Sequence, residues 1–494
     1  MREKLVRTRA PRRRLSGRAA AGLAVASMVA LGAALPVALT SAAPDDSAYV
    51  NWPVGSDYER PTTGDTAPPT TTPPTTTPPT TTPPTTTPPV ASGGGVPVSN
   101  FENRFGLYRS GGSWYGYGMN LGSQQGHGTN PVSNPVTVAA LNQAGIVEVS
   151  IAGSNGLGLD GSGRLWSWGS PSAVLGVTPS STQAPTLVPG LGGTTFKSIS
   201  LGGLVNNAAT SHTAVAAAVD SNGDLWTWGK PTDSRNVNNF MLADGGGARS
   251  QPKKVLTGYN FTRVVLGAEA GGAIDVNKRL WTWGKNTWGG LGNTSDLLAT
   301  RSTPQMLSSV TNVVDLSFGH YTSHALDANG AVYSWGKNNH NAVGTTATCG
   351  FVDGISSCPV KVGGLPAIAQ ISSGFEHTVM LSKTGEMWTF GTNENGHHGN
   401  NTRSLGGNGP SGPVRTTTPA GAATITGVLA LYAGSMALDA NGVLYTWGTN
   451  TGTNLALTGL NSSQLGNRLT QACDQLLPQK PQDQTFSGTC KAPN

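Results

Sequence analysis

The strongest constraint on this chain is a five-residue pattern, L-W-T-W-G at Leu280 to Gly284, that returns along its carboxy-terminal four-fifths. A pattern that recurs every fifty-odd residues marks a repeat architecture, in which each unit buries its apolar face only by stacking on its neighbours. Aligned on the pattern, the segments end at Tyr117-Gly118, Trp168-Gly169, Trp228-Gly229, Trp283-Gly284, Trp335-Gly336, Phe390-Gly391 and Trp447-Gly448. The chain therefore contains seven units.

Within each unit the alternation has period two, which predicts a strand. One face carries Tyr115, Trp166, Trp226, Trp281, Tyr333, Trp388 and Tyr445, each followed two residues later by the ring before the glycine. Between the rings sits a small residue: Gly116, Ser167, Thr227, Thr282, Ser334, Thr389 or Thr446. Large rings on one face and a small column on the other suit a sheet packed on both sides. Radially stacked blades supply that environment. Upstream lie hairpin turns at Asp160-Gly161-Ser162-Gly163, Asp220-Ser221-Asn222-Gly223, Asp327-Ala328-Asn329-Gly330, Ser382-Lys383-Thr384-Gly385 and Asp439-Ala440-Asn441-Gly442. Asn and Gly tolerate the positive φ that such turns need.

The aromatic-Gly ending, the continuation Gly284-Lys285-Asn286-Thr287-Trp288-Gly289-Gly290-Leu291-Gly292, the D-x-x-G turn and the opening Gly374-Phe375-Glu376-His377 together resemble the repeat of the regulator of chromosome condensation family. The resemblance covers about Asn100 to Asn494 and implies an all-β, seven-bladed β-propeller with circular closure. Its departures are a Tyr in the first unit where Trp is usual, His324 out of phase with His377, and no His in the units beginning near Gly153 and Gly434. The first unit also lacks its own leading strand. That strand is expected either from the tail near Gln484 to Gly488 or from Val96 to Phe101.

Residues 1–43 read as a secretory signal peptide, with eight Lys and Arg against Glu3, an apolar run over Ala19 to Leu39, and small residues at Thr40-Ser41-Ala42-Ala43. An uncleaved anchor is the alternative, since the run is just long enough to span a bilayer. Arg12-Arg13-Arg14 leaves the twin-arginine route open beside the general one. Removing the signal leaves 23 basic against 24 acidic residues, so the overall formal charge of +6 belongs to targeting. No clustered excess of Lys and Arg remains for nucleic acid. Chromatin binding and nucleotide exchange on a nuclear small GTPase, which the best-known relatives perform, therefore do not transfer.

Residues 44–60 are a short polar segment, and 61–95 form a Thr/Pro-rich stalk ending in Gly93-Gly94-Gly95. Such a tract favours polyproline II and extends by about 3.1 Å per residue. Its Thr runs are candidate O-glycosylation sites. Residues 96–494 hold the propeller. Export makes disulfides the default for Cys349, Cys358, Cys473 and Cys490, and the local pairs Cys349 with Cys358 and Cys473 with Cys490 are favoured over the other two connectivities. Neither spacing resembles a zinc site.

No G-x-S-x-G, H-E-x-x-H or P-loop pattern appears. Asp220-Ser221-Asn222-Gly223-Asp224 resembles a calcium loop, but the same turn recurs without the required oxygens, so a structural role is expected. The candidate ligand site is the turn after each inner strand, near one mouth of the channel: Asn155, Glu269, His320, Tyr321, Phe375, Glu376 and His377, with Leu204 and Ser435 in the same turn. Glu269 and Glu376 occupy equivalent positions two blades apart and could act as acid and base. A structural role is the competing expectation for His377. Insertions after the aromatic strand, at Lys230 to Gln251, Lys337 to Pro359, Thr392 to Pro413 and Thr449 to Pro478, should project from one face. Ser200 to Asp220 is an exception.

These features are read as a secreted or cell-surface, monomeric binding module that is not an enzyme. It needs no cofactor or metal, does not bind nucleic acid, has no stable membrane span after signal cleavage, and presents its propeller to an extracellular protein or cell-wall glycan. Two alternatives stay open. One is a secreted inhibitor resembling propeller-type β-lactamase inhibitory proteins; the other is a lyase or glycosidase using the channel-mouth carboxylates.

Overall fold

The computed structural model describes residues 97–98, 105–118, 132–177, 181–203, 214–230, 240–293, 296–347, 349–350, 354–394, 396–404, 409–431, 434–448 and 475–479. The signal, polar-segment and stalk expectations for 1–43, 44–60 and 61–95 lie outside them, as do Leu204, Cys473 and Cys490. Among the described residues no helix is long and apolar enough to cross a membrane.

The described strands form seven antiparallel sheets of four, each built from consecutive stretches of chain, and together they make a β-propeller. The fifth blade shows the pattern: an inner strand Val313–Phe318, a second strand Thr322–Asp327, the aromatic strand Val332–Lys337 and an outer strand Ile355–Lys361. Of the two suggested sources for the missing strand of the first blade, Pro97–Val98 fills the place, pairing with Phe105–Ser110. The seventh blade takes its outer strand, Gln475–Gln479, from the tail.

Seven apolar clusters hold the ring, one at each blade boundary. Each contains the ring before the glycine: Trp168, Trp228, Trp283, Trp335, Phe390, Trp447 and, where the first blade closes on the seventh, Tyr117. All seven rings are fully buried, each burial contributing about 1.5–3 kcal/mol. Closure is thus a packing event: Tyr108 and Tyr117 meet Leu429, Leu431, Met436, Leu438 and Leu444.

The continuation after each aromatic strand gains a physical reason. Trp228 Nε1 donates to Val174 O at 2.7 Å, Trp283 to Met241 O at 3.1 Å, Trp335 to Gly290 O at 2.9 Å and Trp447 to His397 O at 2.9 Å. Each acceptor lies in the loop that follows the preceding blade's aromatic strand. The next carbonyl along that loop accepts from the small column of its own blade: Ser167 to Leu175 O at 2.6 Å, Thr227 to Leu242 O at 2.7 Å, Thr282 to Leu291 O at 2.9 Å. The small residues are therefore mostly hydroxyls because they anchor the loop on which the neighbouring Trp is hung.

The Asp turns carry a second device. Asp275 Oδ1 accepts from the backbone of Asn277 and Arg279, and its Oδ2 accepts from Trp281 Nε1 at 3.1 Å. Asp160 and Asp220 serve Trp166 and Trp226 in the same way, and Asp439 accepts from the Tyr445 hydroxyl. In the Asp220 turn both carboxylate oxygens are thus taken by protein donors, as a structural turn requires. The sixth blade has Ser382, too short to reach the ring, and Trp388 Nε1 is left buried without a partner.

Inner strands are joined across blades by side chains that the repeat pattern did not single out. Ser150 Oγ accepts from Leu201 N, Ser198 Oγ from Val264 N, Ser200 Oγ from Leu266 N, Ser317 Oγ from Ser373 N and Ser372 Oγ from Ala430 N. An inner strand would otherwise leave one row of buried N–H groups unpaired.

Candidate functional site

The register puts the inner-strand turns and the loops after the aromatic strands at one end of the propeller, because Thr322 pairs with Gly336 and His377 with Gly391. In blades four to seven the inner strand ends in a four-residue turn closed by a backbone bond, as from Gly319 N to Thr322 O and from Gly374 N to His377 O, both at 2.8 Å. The two central residues face the mouth: Ala268-Glu269, His320-Tyr321 and Phe375-Glu376 in blades four to six. The residue after the aromatic-strand glycine then docks on this turn, with Lys285 N donating to Glu269 O at 2.8 Å and Lys337 N to Tyr321 O at 2.9 Å. The approach is close enough that a Cβ on Gly336, whose φ is +108°, would stand 2.4 Å from Tyr321 O.

This geometry gathers five of the expected residues on three successive blades. His320 lies 4.1 Å from Tyr321 and 4.6 Å from Phe375 between ring centroids, and Tyr321 lies 5.0 Å from Trp288. Lys337 Nζ sits over Trp288 at 4.4 Å and over Tyr321 at 5.2 Å. Burial lowers the pKa of Lys337, with Glu376 opposing the shift. Burial, and then Lys337, push His320 down to about 3, so this imidazole is neutral.

The two carboxylates do not form a matched pair. Glu376 is buried and receives His340 Nδ1 at 2.7 Å, with Asn339 Nδ2 at 3.4 Å. The hydrogen bond to Glu376 raises the pKa of His340. Glu269 instead lines a small cavity with Lys285 and Phe318 against Trp288, His320 and Tyr321 of the same cluster, and its Oε2 is buried without a hydrogen-bond partner. One carboxylate is held by a histidine and the other has an oxygen without a hydrogen-bond partner, so the two equivalent positions differ in environment.

Asn155 and His377 do not belong to this cluster. Asn155 is buried and ties Nδ2 to Ser170 O at 2.6 Å, holding the loop after its own aromatic strand. His377 is buried at the boundary of blades six and seven, with Nε2 3.0 Å from Ser435 Oγ and its ring 4.6 Å from His397. Burial pushes it down to about 3, which fits the structural expectation for it. His324 is one alternation further along its strand, enclosed by Ser334, Thr322 and Thr378. Cys349 and Cys358 form the expected disulfide, which ties the loop after the fifth blade's aromatic strand to the outer strand Ile355–Lys361.

Sequence reasoning passed over Lys285, Trp288, Lys337 and His340 as site residues. The signal available was the recurrence of Gly-Lys-Asn at Gly284-Lys285-Asn286 and Gly336-Lys337-Asn338, which delivers a lysine to the mouth from two adjacent blades.

Comparison with known proteins agrees with the architecture. Residues 278–326 and 329–381 match the family described as Regulator of chromosome condensation (RCC1) repeat, and residues 368–396 match a second family of that description. The ultraviolet-B receptor UVR8 of Arabidopsis thaliana is 26% identical over 300 residues, 59% of this chain and 63% of that protein. The probable E3 ubiquitin-protein ligase HERC3 of Homo sapiens is 33% identical over 129 residues, 26% of this chain and 12% of that protein. The chain thus spans less than two thirds of either relative. The crystal structure of Prp20p from Saccharomyces cerevisiae, studied for its binding to Gsp1p and histones, has a TM-score of 0.60 at 20% identity, covering 74% of this chain and 85% of that one. The yeast protein bound to Kap60 gives 0.59. At that identity the likeness is one of fold.

Proposed function

Because the chain belongs to the regulator of chromosome condensation repeat family, we propose that it is a protein-interaction module whose partner docks on the mouth formed by blades four to six. The observation that carries this reading is the cluster of Trp288, His320, Tyr321 and Phe375 with Lys337 across two of the rings. Aromatic side chains held rigid beside a cation are what interface hot spots are made of. Engagement of Glu376 by His340 speaks against a catalytic carboxylate pair. Structural relatives that bind Gsp1p, histones and Kap60 support a protein as partner.

The basic, then apolar, then small-residue sequence of residues 1–43 supports export, and the Thr/Pro tract supports display away from the envelope. The expected partner is then extracellular. The test is capture from secreted and envelope fractions with the full chain and with a Phe375→Ala, Lys337→Ala double variant. A partner retained by the first and lost by the second is the expected result. Capture that is indifferent to both substitutions would move the binding surface elsewhere, and capture of wall polysaccharide would replace the protein partner with a glycan.

A further inference from the structure

Blades three and four place an arginine at the same point, and only one of the two is neutralised. The register sets Arg249 opposite Gly229 and Arg301 opposite Gly284, at the mouth end of each outer strand. Arg249 is engaged on every side: Nε donates to Thr227 O at 3.1 Å, Nη2 to Thr227 Oγ1 at 2.7 Å, and Nη1 pairs with Asp244 at 2.9 Å. Arg301 has no such partners among the described residues. Its Nη1 is buried without a hydrogen bond, and burial alone lowers its pKa, with no carboxylate opposing the shift. A guanidinium keeps its charge at any ordinary pH, so burying part of it unpaired is costly.

The loops of the two blades align residue by residue and show what is missing. Met241 O and Gly290 O each accept from the next blade's Trp, and Leu242 O and Leu291 O each accept from the Thr of their own blade. Ala243 and Gly292 follow, with φ of 60° and 74°. The next residue is Asp244 in blade three and Asn293 in blade four. Where blade three has the acid, blade four has an amide, which supplies no charge. Blade two needs no acid, because Gln183 stands opposite Gly169 and bonds Ser167 through Nε2. Blade four thus keeps the cation without its anion. Asn293 is exposed and Arg301 only partly buried, which leaves the side that Asp244 fills in blade three open to an incoming group. Leu298, just before Arg301 in the chain, is 79% exposed.

We propose that Arg301 receives a carboxylate from outside the chain, an acidic side chain of the docked protein with an apolar neighbour against Leu298. The proposal rests on the protein-partner reading, since the loop that carries Trp288 leads directly into the strand of Arg301 at the same end of the propeller. A carboxylate is the group chosen because Asp244 is what meets the equivalent arginine.

The test uses two substitutions in the full chain that copy its other blades, Arg301→Gln after blade two and Asn293→Asp after blade three. In thermal unfolding, Asn293→Asp should raise the midpoint by about 2 °C when Arg301 is present and leave it unchanged in the Arg301→Gln background, because the charge-assisted contact needs both partners. Nα-acetylglutamate amide, whose only charge is the side-chain carboxylate, should at several hundred millimolar raise the midpoint of the unsubstituted chain by about 1 °C over Nα-acetylglutamine amide with matched sodium chloride. Both variants should show no such difference. An equal response in Arg301→Gln, or no gain from Asn293→Asp, would overturn the site. A response to sodium acetate but not to the blocked glutamate would overturn the acidic side chain in favour of a free anion. These readouts need no partner, so they succeed or fail separately from the capture experiment above.

Discussion

Acid should destabilise this propeller as pH falls below about 6.5, and the cause is a set of buried imidazoles. His324 and His377 are pushed down to about 3 and His398 to about 4, in each case by burial first. In the unfolded chain each returns to about 6.5. Between these values the unfolded state binds more protons than the folded one, so stability is full above about pH 6.5 and falls as pH drops toward the folded value. Moving from pH 7 to pH 5 costs about 1.9 kcal/mol for each such histidine. Three of them reach about 5–6 kcal/mol, comparable with the whole stability of many domains. His340 works in the opposite sense, since its raised pKa strengthens the Glu376 pair in acid, and so do Glu148 and Asp315, raised by burial. The clean measurement is therefore a difference. His324→Leu copies the second blade, which has Leu157 at that place in its second strand. Urea unfolding followed by Trp fluorescence at pH 7, 6 and 5 should show the pH-dependent loss reduced by about 1.9 kcal/mol in the variant, whatever its stability at pH 7. Parallel curves for the two proteins would refute the argument, since they would mean that His324 takes up its proton in the folded state.

Three further outcomes follow from the packing. Ser382→Asp should raise stability by about 1–2 kcal/mol in denaturant titrations by giving Trp388 Nε1 the acceptor that Trp166, Trp226 and Trp281 already have; a loss would show that the sixth blade cannot hold a buried carboxylate. Ser200→Ala should cost about 1–3 kcal/mol by stranding Leu266 N at the boundary of blades three and four, and hydrogen exchange at that amide should accelerate. Replacing Cys349 and Cys358 together by Ser should lower stability by about 2.7 kcal/mol, on the chain-entropy account of a loop with sequence separation 9, and an unchanged urea midpoint would contradict it.

The architecture was legible because its determinants are local and repeated. Rings two residues apart, a small residue between them and a glycine after them specify a strand and its end within five positions, and seven copies specify a ring of blades. The Asp turns were legible for the same reason, since Asp275 bonds the backbone two and four residues ahead. The candidate mouth was legible as a position in the repeat, which is why Glu269, His320, Tyr321, Phe375 and Glu376 were found.

Its internal division was not legible. Glu269 and Glu376 hold the same place in their units, yet one is engaged and the other leaves an oxygen unpartnered. The difference comes from His340, a residue 36 positions before Glu376 that reaches it from the loop of the preceding blade. The serine links between inner strands are equally silent in the sequence, because Ser200 meets Leu266 across 66 positions and the contact exists only once two blades have packed. Contacts within a hairpin are set by neighbours along the chain and so can be read from it. Contacts between blades depend on which loops reach the shared mouth, and that geometry exists only after the ring has closed.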